Sequence, residues 1–211
     1  WAAAVLATAN AVFGYFALPE TVTDKIRRPF SFARANPLGA FRQIGKLPGL
    51  GRMLGMTFIY GIGFFVYPSV WAYFGKLQFG WGPGMVGLSL ATFGIGIALV
   101  QGVLIRPILA RIGERNTVIL GLSVDVIAFV ALAFVTNGWI ALLLTPLASL
   151  GSIAGPALQG LMSQAASDDQ QGELQGALTS INAVSSIAAP LFMTQTFFFF
   201  TKTDSAVFLP G

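Results

Sequence analysis

The stretch Thr117–Val135 is apolar except for one ionisable side chain, Asp125, near its middle. A helix of that length spans the hydrocarbon core of a bilayer, which brings the carboxylate close to the midplane. A charged Asp there costs about 2.5–3.5 kcal/mol on insertion scales, so it must face a cavity or a partner instead of lipid. The chemistry open to such a group is proton carriage. The structural alternative is an Asp held protonated, or hydrogen-bonded to a neighbouring helix. Other chemistry is scarce. The chain has no Cys and no His, which removes thiolate and disulfide chemistry, the commonest metal ligand and the usual general base. No Ser/His/Asp arrangement exists, so an enzyme of the ordinary hydrolase kind is excluded, and neither a cofactor nor a metal is expected.

The elements that must hold Asp125 are membrane spans. With 55% hydrophobic and 9% charged residues among 211, 19 of them Phe, and a mean hydropathy of +0.75, the chain is too apolar for a soluble domain. A net charge of +4 raises the question of nucleic acid. The basic residues, however, sit in the connections between apolar runs, where the positive-inside rule accounts for them, and nucleic acid is not expected.

Trp1 to Leu18 reads as a span or the end of one. No basic stretch precedes it, which fits a processed or truncated chain better than a signal peptide. After Pro19-Glu20 the segment to Arg52 carries seven Lys and Arg and reads as a long cytoplasmic connection. Within it Asn36-Pro37-Leu38, Ala40, Phe41 and Ile44 read either as a surface-lying amphipathic helix or as a solvated basic linker.

Spans then follow at short intervals. Leu50–Phe74 carries Gly51, Gly55, Gly61 and Gly63 for close helix approach and a kink at Pro68, and Tyr67, Trp71 and Tyr73 mark its far end as an interface. Lys76–Pro83 turns the chain. Gly84–Ile105 returns it, with Gly87, Ala91, Gly94, Ala98 and Gln101 on one face expected to pack against a neighbour. Arg106–Asn116 is a short basic turn ahead of the Asp125 span. Trp139–Leu161 is interrupted at Thr145-Pro146 and Gly155-Pro156, so a kinked helix is expected there. Leu174 to about Phe200 is the last span. Gln175, Thr179, Asn182 and Ser186 recur on one of its faces, as a cavity lining or a packing seam, and Phe197–Phe200 with Lys202 reads as a lipid-contacting anchor. All Lys and Arg except Lys76 and Lys202 fall in the two connections assigned to the cytoplasm, while Trp1, Trp71, Trp81 and Trp139 fall at the opposite interface.

The segments LPETVTDKIRRPFSFARANPLGAFR, ARIGERNTVILGLSVD, GPALQGLMSQ and QGELQGALTSI, in that order, resemble the second half of a tetracycline-resistance-type drug/proton antiporter of the major facilitator superfamily. The resemblance implies an all-α polytopic transmembrane helix bundle, major-facilitator-like, with about six spans, the sixth to eleventh of twelve. Residues 1–18 then end the N-terminal half, 19–49 form the central cytoplasmic loop, and 50–211 form an incomplete C-terminal half of five spans. Arg111, Gly113, Glu114 and Arg115 match the family's cytoplasmic signature turn. Asp125 matches an intramembrane Asp of the ninth span and Gln101 a polar residue of the eighth. The implied function is proton-coupled efflux of a drug or other amphipathic small molecule by rocking of two halves, with Asp125 in proton coupling and Gln101, Asn182 and Tyr60 along the substrate path. The implied partners are the lipid bilayer, the N-terminal half, protons and a small-molecule substrate, and the implied location is the bacterial inner membrane. A transporter-derived structural subunit, docked on a larger membrane complex without transport activity, is the alternative.

Overall fold

A computed structural model describes residues 2–17, 49–167 and 170–202. The chain divides into two units, Trp1–Asn36 and Pro37–Gly211. In the first, the described residues form one apolar helix, α1 (Ala2–Ala17). The expected surface helix around Asn36–Ile44 lies outside the described residues.

In the second unit α2 (Gly51–Phe64) and α3 (Val66–Phe79) make one pass with a break at Phe65. Pro68 explains the break: it has no N–H to offer the carbonyl of Phe64, and its ring crowds that turn. The pass runs further than the sequence suggests. Lys76 lies in the last turn of α3, and the reversal is confined to Gly80–Gly82, where Gly80 ends the helix in the left-handed region at φ 66°. Of the four glycines expected to bring helices together here, only Gly61 meets a neighbour among the described residues, the Ser185 side chain.

α4 (Pro83–Leu99) continues through a π-helical turn, Val100–Leu104, into α5 (Ile105–Phe134). The π turn lets Pro107 follow at little cost, because Val103, whose carbonyl Pro107 cannot serve, already lies outside regular α bonding. Helix covers the 52 residues of Pro83–Phe134 apart from one break in backbone angles. Straight, they would measure about 80 Å, far more than the roughly 30 Å of a bilayer core. The chain instead reverses at Gly113, whose φ of 75° and ψ of 169° are non-helical. The rings of Phe93 and Phe129, on either side of that reversal, both lie against Tyr67, with centroids 4.3 and 5.7 Å away. The short basic turn expected at Arg106–Asn116 is therefore two helix ends joined at one residue.

Only glycine adopts that backbone conformation readily. A Cβ on Gly113 would meet no atom within 4 Å, so the cost of Gly113→Ala is backbone strain alone. The substitution is expected to lower unfolding free energy in detergent by about 1–3 kcal/mol, read by denaturant titration. An unchanged midpoint would show that the turn relaxes freely.

α6 (Gly138–Ala148), a 3-10 segment (Ser149–Ile153) and α7 (Ala154–Ala165) form the next pass, and α8 (Gln171–Thr201) the last. Asn137 caps α6 by accepting a bond from the Trp139 N–H at 2.9 Å. Four helical stretches among the described residues, Gly51–Phe79, Pro83–Phe134, Gly138–Ala165 and Gln171–Thr201, are long and apolar enough to cross a membrane. Together with the all-helical packing they make the chain an integral membrane protein, a polytopic transmembrane helix bundle.

Two apolar clusters fill the second unit. One joins Leu54 of α2, Val118 of α5, Leu158 and Met162 of α7 and Leu174 and Leu178 of α8. The other is aromatic, with Tyr67, Trp71, Phe74, Trp81 and Phe93 packed on Ala128 and Leu132 of α5. This revises the expected interface: Tyr67, Trp71 and Trp81 point into the bundle, and Tyr73 and Trp139 are the exposed ones. The Trp71 indole is able to go inside because its N–H donates to the Ser89 hydroxyl at 2.9 Å. The packed face of α4 also differs from the expected one. Ser89, Phe93 and Gly96 are buried, whereas Gly87, Ala91, Gly94, Ala98 and Gln101 are exposed.

Candidate functional site

Asp125 lies on α5 between the two clusters, past Val118 of the first and before Ala128 of the second. The pass from Glu114 to Phe134 measures about 30 Å, which leaves the carboxylate near mid-depth. Across from it runs the 3-10 segment Ser149–Ile153. Prolines on both sides favour the irregularity: Pro146 sits inside α6, and Pro156 has no N–H for the carbonyl of Ser152. A short 3-10 stretch inside a helical pass often marks a functional position. Here it brings Gly151 so close that a Cβ would coincide with the Asp125 carboxylate. Glycine makes room for the acid.

The carboxylate borders a cavity of about 180 Å³. Tyr60 and Tyr67 of the first pass, Phe93 of α4, Phe129 of α5 and Ser152 of the 3-10 segment share its wall. Ser152 is 5% exposed and its hydroxyl has no hydrogen-bond partner among the described residues, an unusual state for a buried polar group. Asp125 has neither a hydrogen bond nor a cationic partner among the described residues. The arrangement is a lone carboxylate and a lone hydroxyl in an otherwise aromatic and aliphatic chamber. It suits a polar occupant that brings its own positive charge or proton. Among the described residues no three acidic side chains gather as a metal site.

Of the residues singled out in the sequence, Tyr60 and Asp125 meet at this cavity; Gln101 and Asn182 do not line it. Gln101 is exposed on the π turn. Asn182 is exposed on α8 together with Gln175, Thr179 and Ser186, so the polar stripe faces away from the packed interior of its own half. Ser152, Gly151, Phe93 and Phe129 escaped the sequence reading. The available signal was the pair of breakers at Pro146 and Pro156, which bracket Ser149–Ile153.

The model of the major facilitator superfamily matches residues 1–190. The chain belongs to that superfamily. It is similar to the tetracycline resistance protein, class C, of Escherichia coli, at 37% identity over 193 residues, which cover 92% of this chain and 48% of that protein. The tetracycline resistance protein, class G, of Vibrio anguillarum is 39% identical over 161 residues, 76% of this chain and 41% of the relative. The hippocampus abundant transcript 1 protein of Homo sapiens is 27% identical over 93% of this chain and 42% of the relative. The chain spans about half the length of the curated relatives it matches. No solved structure gives a significant match.

The residues expected to form a cytoplasmic signature turn differ in their surroundings. Gly113 makes the reversal, and the Glu114 carboxylate accepts a hydrogen bond from the Gln164 side-chain amide of α7, while Arg111 and Arg115 are exposed. Glu114 also opens the second pass of α5, where a negative charge is favoured by the helix dipole. A second, apolar cavity of about 340 Å³ lies between α3, α5 and α8, with Phe129 as the wall it shares with the first. Phe197 and Phe200 line it, whereas Phe198 and Phe199 are exposed, so only half of the Phe run matches the expected lipid anchor. The Lys202 ammonium stands 5.5 Å from the Phe199 ring centroid.

Proposed function

We propose that this chain is the second half of a proton-coupled exporter of a drug or other amphipathic small molecule, working by alternating access in a bacterial inner membrane. The observation that carries the reading is Asp125: a mid-depth carboxylate on a cavity, with no cationic partner among the described residues. An intramembrane acid is costly and is kept where it serves an ion or substrate path. Its charge follows access. Open to the outside, Asp125 takes a proton; open to the cytoplasm, it gives the proton up and receives substrate. Proton and substrate then exclude one another, which is the requirement for exchange.

The names of the relatives support tetracycline-like drugs as the substrate class. The exposed small-residue face of α4 ending at Gln101, and the exposed stripe of Gln175, Thr179, Asn182 and Ser186 on α8, suit a protein or water boundary better than lipid. We assign them to the surface against the N-terminal half, where Gln101 and Asn182 border the substrate path and Tyr60 borders it from the Asp125 side. Arg111, Gly113, Glu114 and Arg115 serve the cytoplasmic closure, with the Glu114–Gln164 bond tying the turn to α7.

The test uses the complete transporter in inside-out vesicles with labelled tetracycline and an imposed pH gradient, acidic within. Accumulation that collapses when the gradient is dissipated by nigericin is the expected result. Accumulation indifferent to the gradient would overturn proton coupling, and none under any condition would favour the structural-subunit reading.

A further inference from the structure

We propose that Trp81 is a key that locks the ends of α3, α5 and α6 into one rigid block at the end of the bundle opposite Gly113. The inference rests on the alternating-access reading, and it names the part of this half that moves as a unit. Its first support is the place of the residue. Trp81 lies in the three-residue reversal Gly80–Gly82, where a side chain is ordinarily exposed, yet it is only 7% exposed. A Trp at the end of a span also belongs by type to the membrane interface. The reversal turns it inward instead. Its backbone N–H donates to the Gly75 carbonyl at 3.1 Å, which folds the residue back over the end of α3.

The second support is a slot that fits the indole. A Cβ on Gly75 of α3 would stand 2.8 Å from Cε3 of Trp81, and one on Gly138 of α6 would stand 2.5 Å from its Nε1. Real Cβ atoms do not approach so closely, so the ring is seated between two helices at the two positions that carry no side chain. The same indole meets the rings of Phe79 and Trp71 of α3, with centroids 5.0 and 6.1 Å away. Beside it the Gln78 amide donates to the Val135 carbonyl at 3.2 Å and holds the end of α5 to that of α3. Three helix ends thus converge on one residue of a short turn.

The third support is the position of the weak points. In the passes around this block, α geometry is interrupted at Phe65, at the π turn Val100–Leu104 and at the 3-10 segment Ser149–Ile153. At 1.5 Å per residue these lie about 16–27 Å along the helices from the turns that hold the key. Helices bend where the regular ladder is broken, whereas a close-packed aromatic cluster resists deformation. Bending of this half is therefore confined to the part beyond the block, and the keyed end keeps its shape.

The test reads distances within the block. The chain has no Cys, so nitroxide labels attach where one is introduced, once any Cys of the other half is replaced by Ser. Labels go at Leu77→Cys of α3 and Ile140→Cys of α6, both exposed, in the complete transporter reconstituted in liposomes. Electron paramagnetic resonance should give one narrow distance that stays the same when a pH gradient is imposed in either direction. Trp81→Ala should replace it by a broad distribution, while a control pair nearer Gly113, Met56→Cys and Ile119→Cys, keeps its width. Gly75→Ala, whose added methyl meets the indole first, should broaden the block pair in the same way. Equal broadening of both pairs would mean general loosening and would overturn the key, as would an unaltered block pair in a folded Trp81→Ala protein. A block distance that shifts with the gradient while Trp81 is in place overturns it too, and that measurement does not depend on either variant folding. A fixed block in a protein without gradient-driven efflux would leave the key standing and reject only the exporter reading.

Discussion

Asp125→Asn is expected to reduce gradient-driven efflux to the level of vesicles that lack the transporter, while the protein remains folded and inserted. Asn has the shape of Asp, so the close approach of the 3-10 segment at Gly151 survives the substitution. What is lost is the ability to take up and release a proton. Because no cation faces Asp125 among the described residues, removing its charge leaves no buried partner behind. An intramembrane carboxamide also costs less to insert than a carboxylate, so thermal stability in detergent should be equal or higher. Asp125→Glu supplies the control: the charge remains, the carboxylate is pushed one methylene further into the cavity, and part of the coupled efflux should persist. Efflux at the normal rate with an unchanged dependence on the gradient in the Asn variant would remove Asp125 from the coupling path. In that event the residue is a structural acid.

The sequence made some of this legible and hid the rest for identifiable reasons. The spans announce themselves through long apolar runs, and Asp125 through being the one acid inside them, because both signals are compositional and local. The exact place of the reversal at Gly113 was harder to see, since RPILARIGERN reads as a basic turn throughout although its Arg, Leu, Ala and Glu residues are good helix formers. Tyr67 and Trp71 resemble an interfacial belt by residue type; Tyr67 is buried against Phe93 and Phe129, and Trp71 because Ser89, 18 residues later, supplies the acceptor for its indole. The exposed faces of α4 and α8 show the limit of periodicity. It groups Gly87 with Gln101 and Gln175 with Ser186 correctly on faces, but which face turns inward is settled by the packing of other helices. The cavity itself is a tertiary object, assembled from residues as distant as Tyr60 and Ser152, and no local pattern encodes it.

Gly151→Ala should disable transport as thoroughly as a change at Asp125, on the order of a hundredfold in rate, although it alters no polar or charged group. A Cβ at position 151 would occupy the space of the Asp125 carboxylate, with the outer oxygen still only 2.9 Å away. The 3-10 segment is buried at Gly151, Ser152 and Ile153, so it has little freedom to withdraw. The acid must therefore swing aside, and displacement of a working group by about 1 Å is enough for a loss of that size. Overpacking of this kind also costs stability, about 1–3 kcal/mol. A double-substitution cycle separates the proposed contact from general damage. If the clash with the carboxylate is the cause, Gly151→Ala should lower thermal stability in the natural background and have almost no effect once Asp125→Ala has emptied the space. Equal destabilisation in both backgrounds would mean that the methyl group strikes something else, and that the glycine serves the turn of the 3-10 segment instead of the carboxylate facing it.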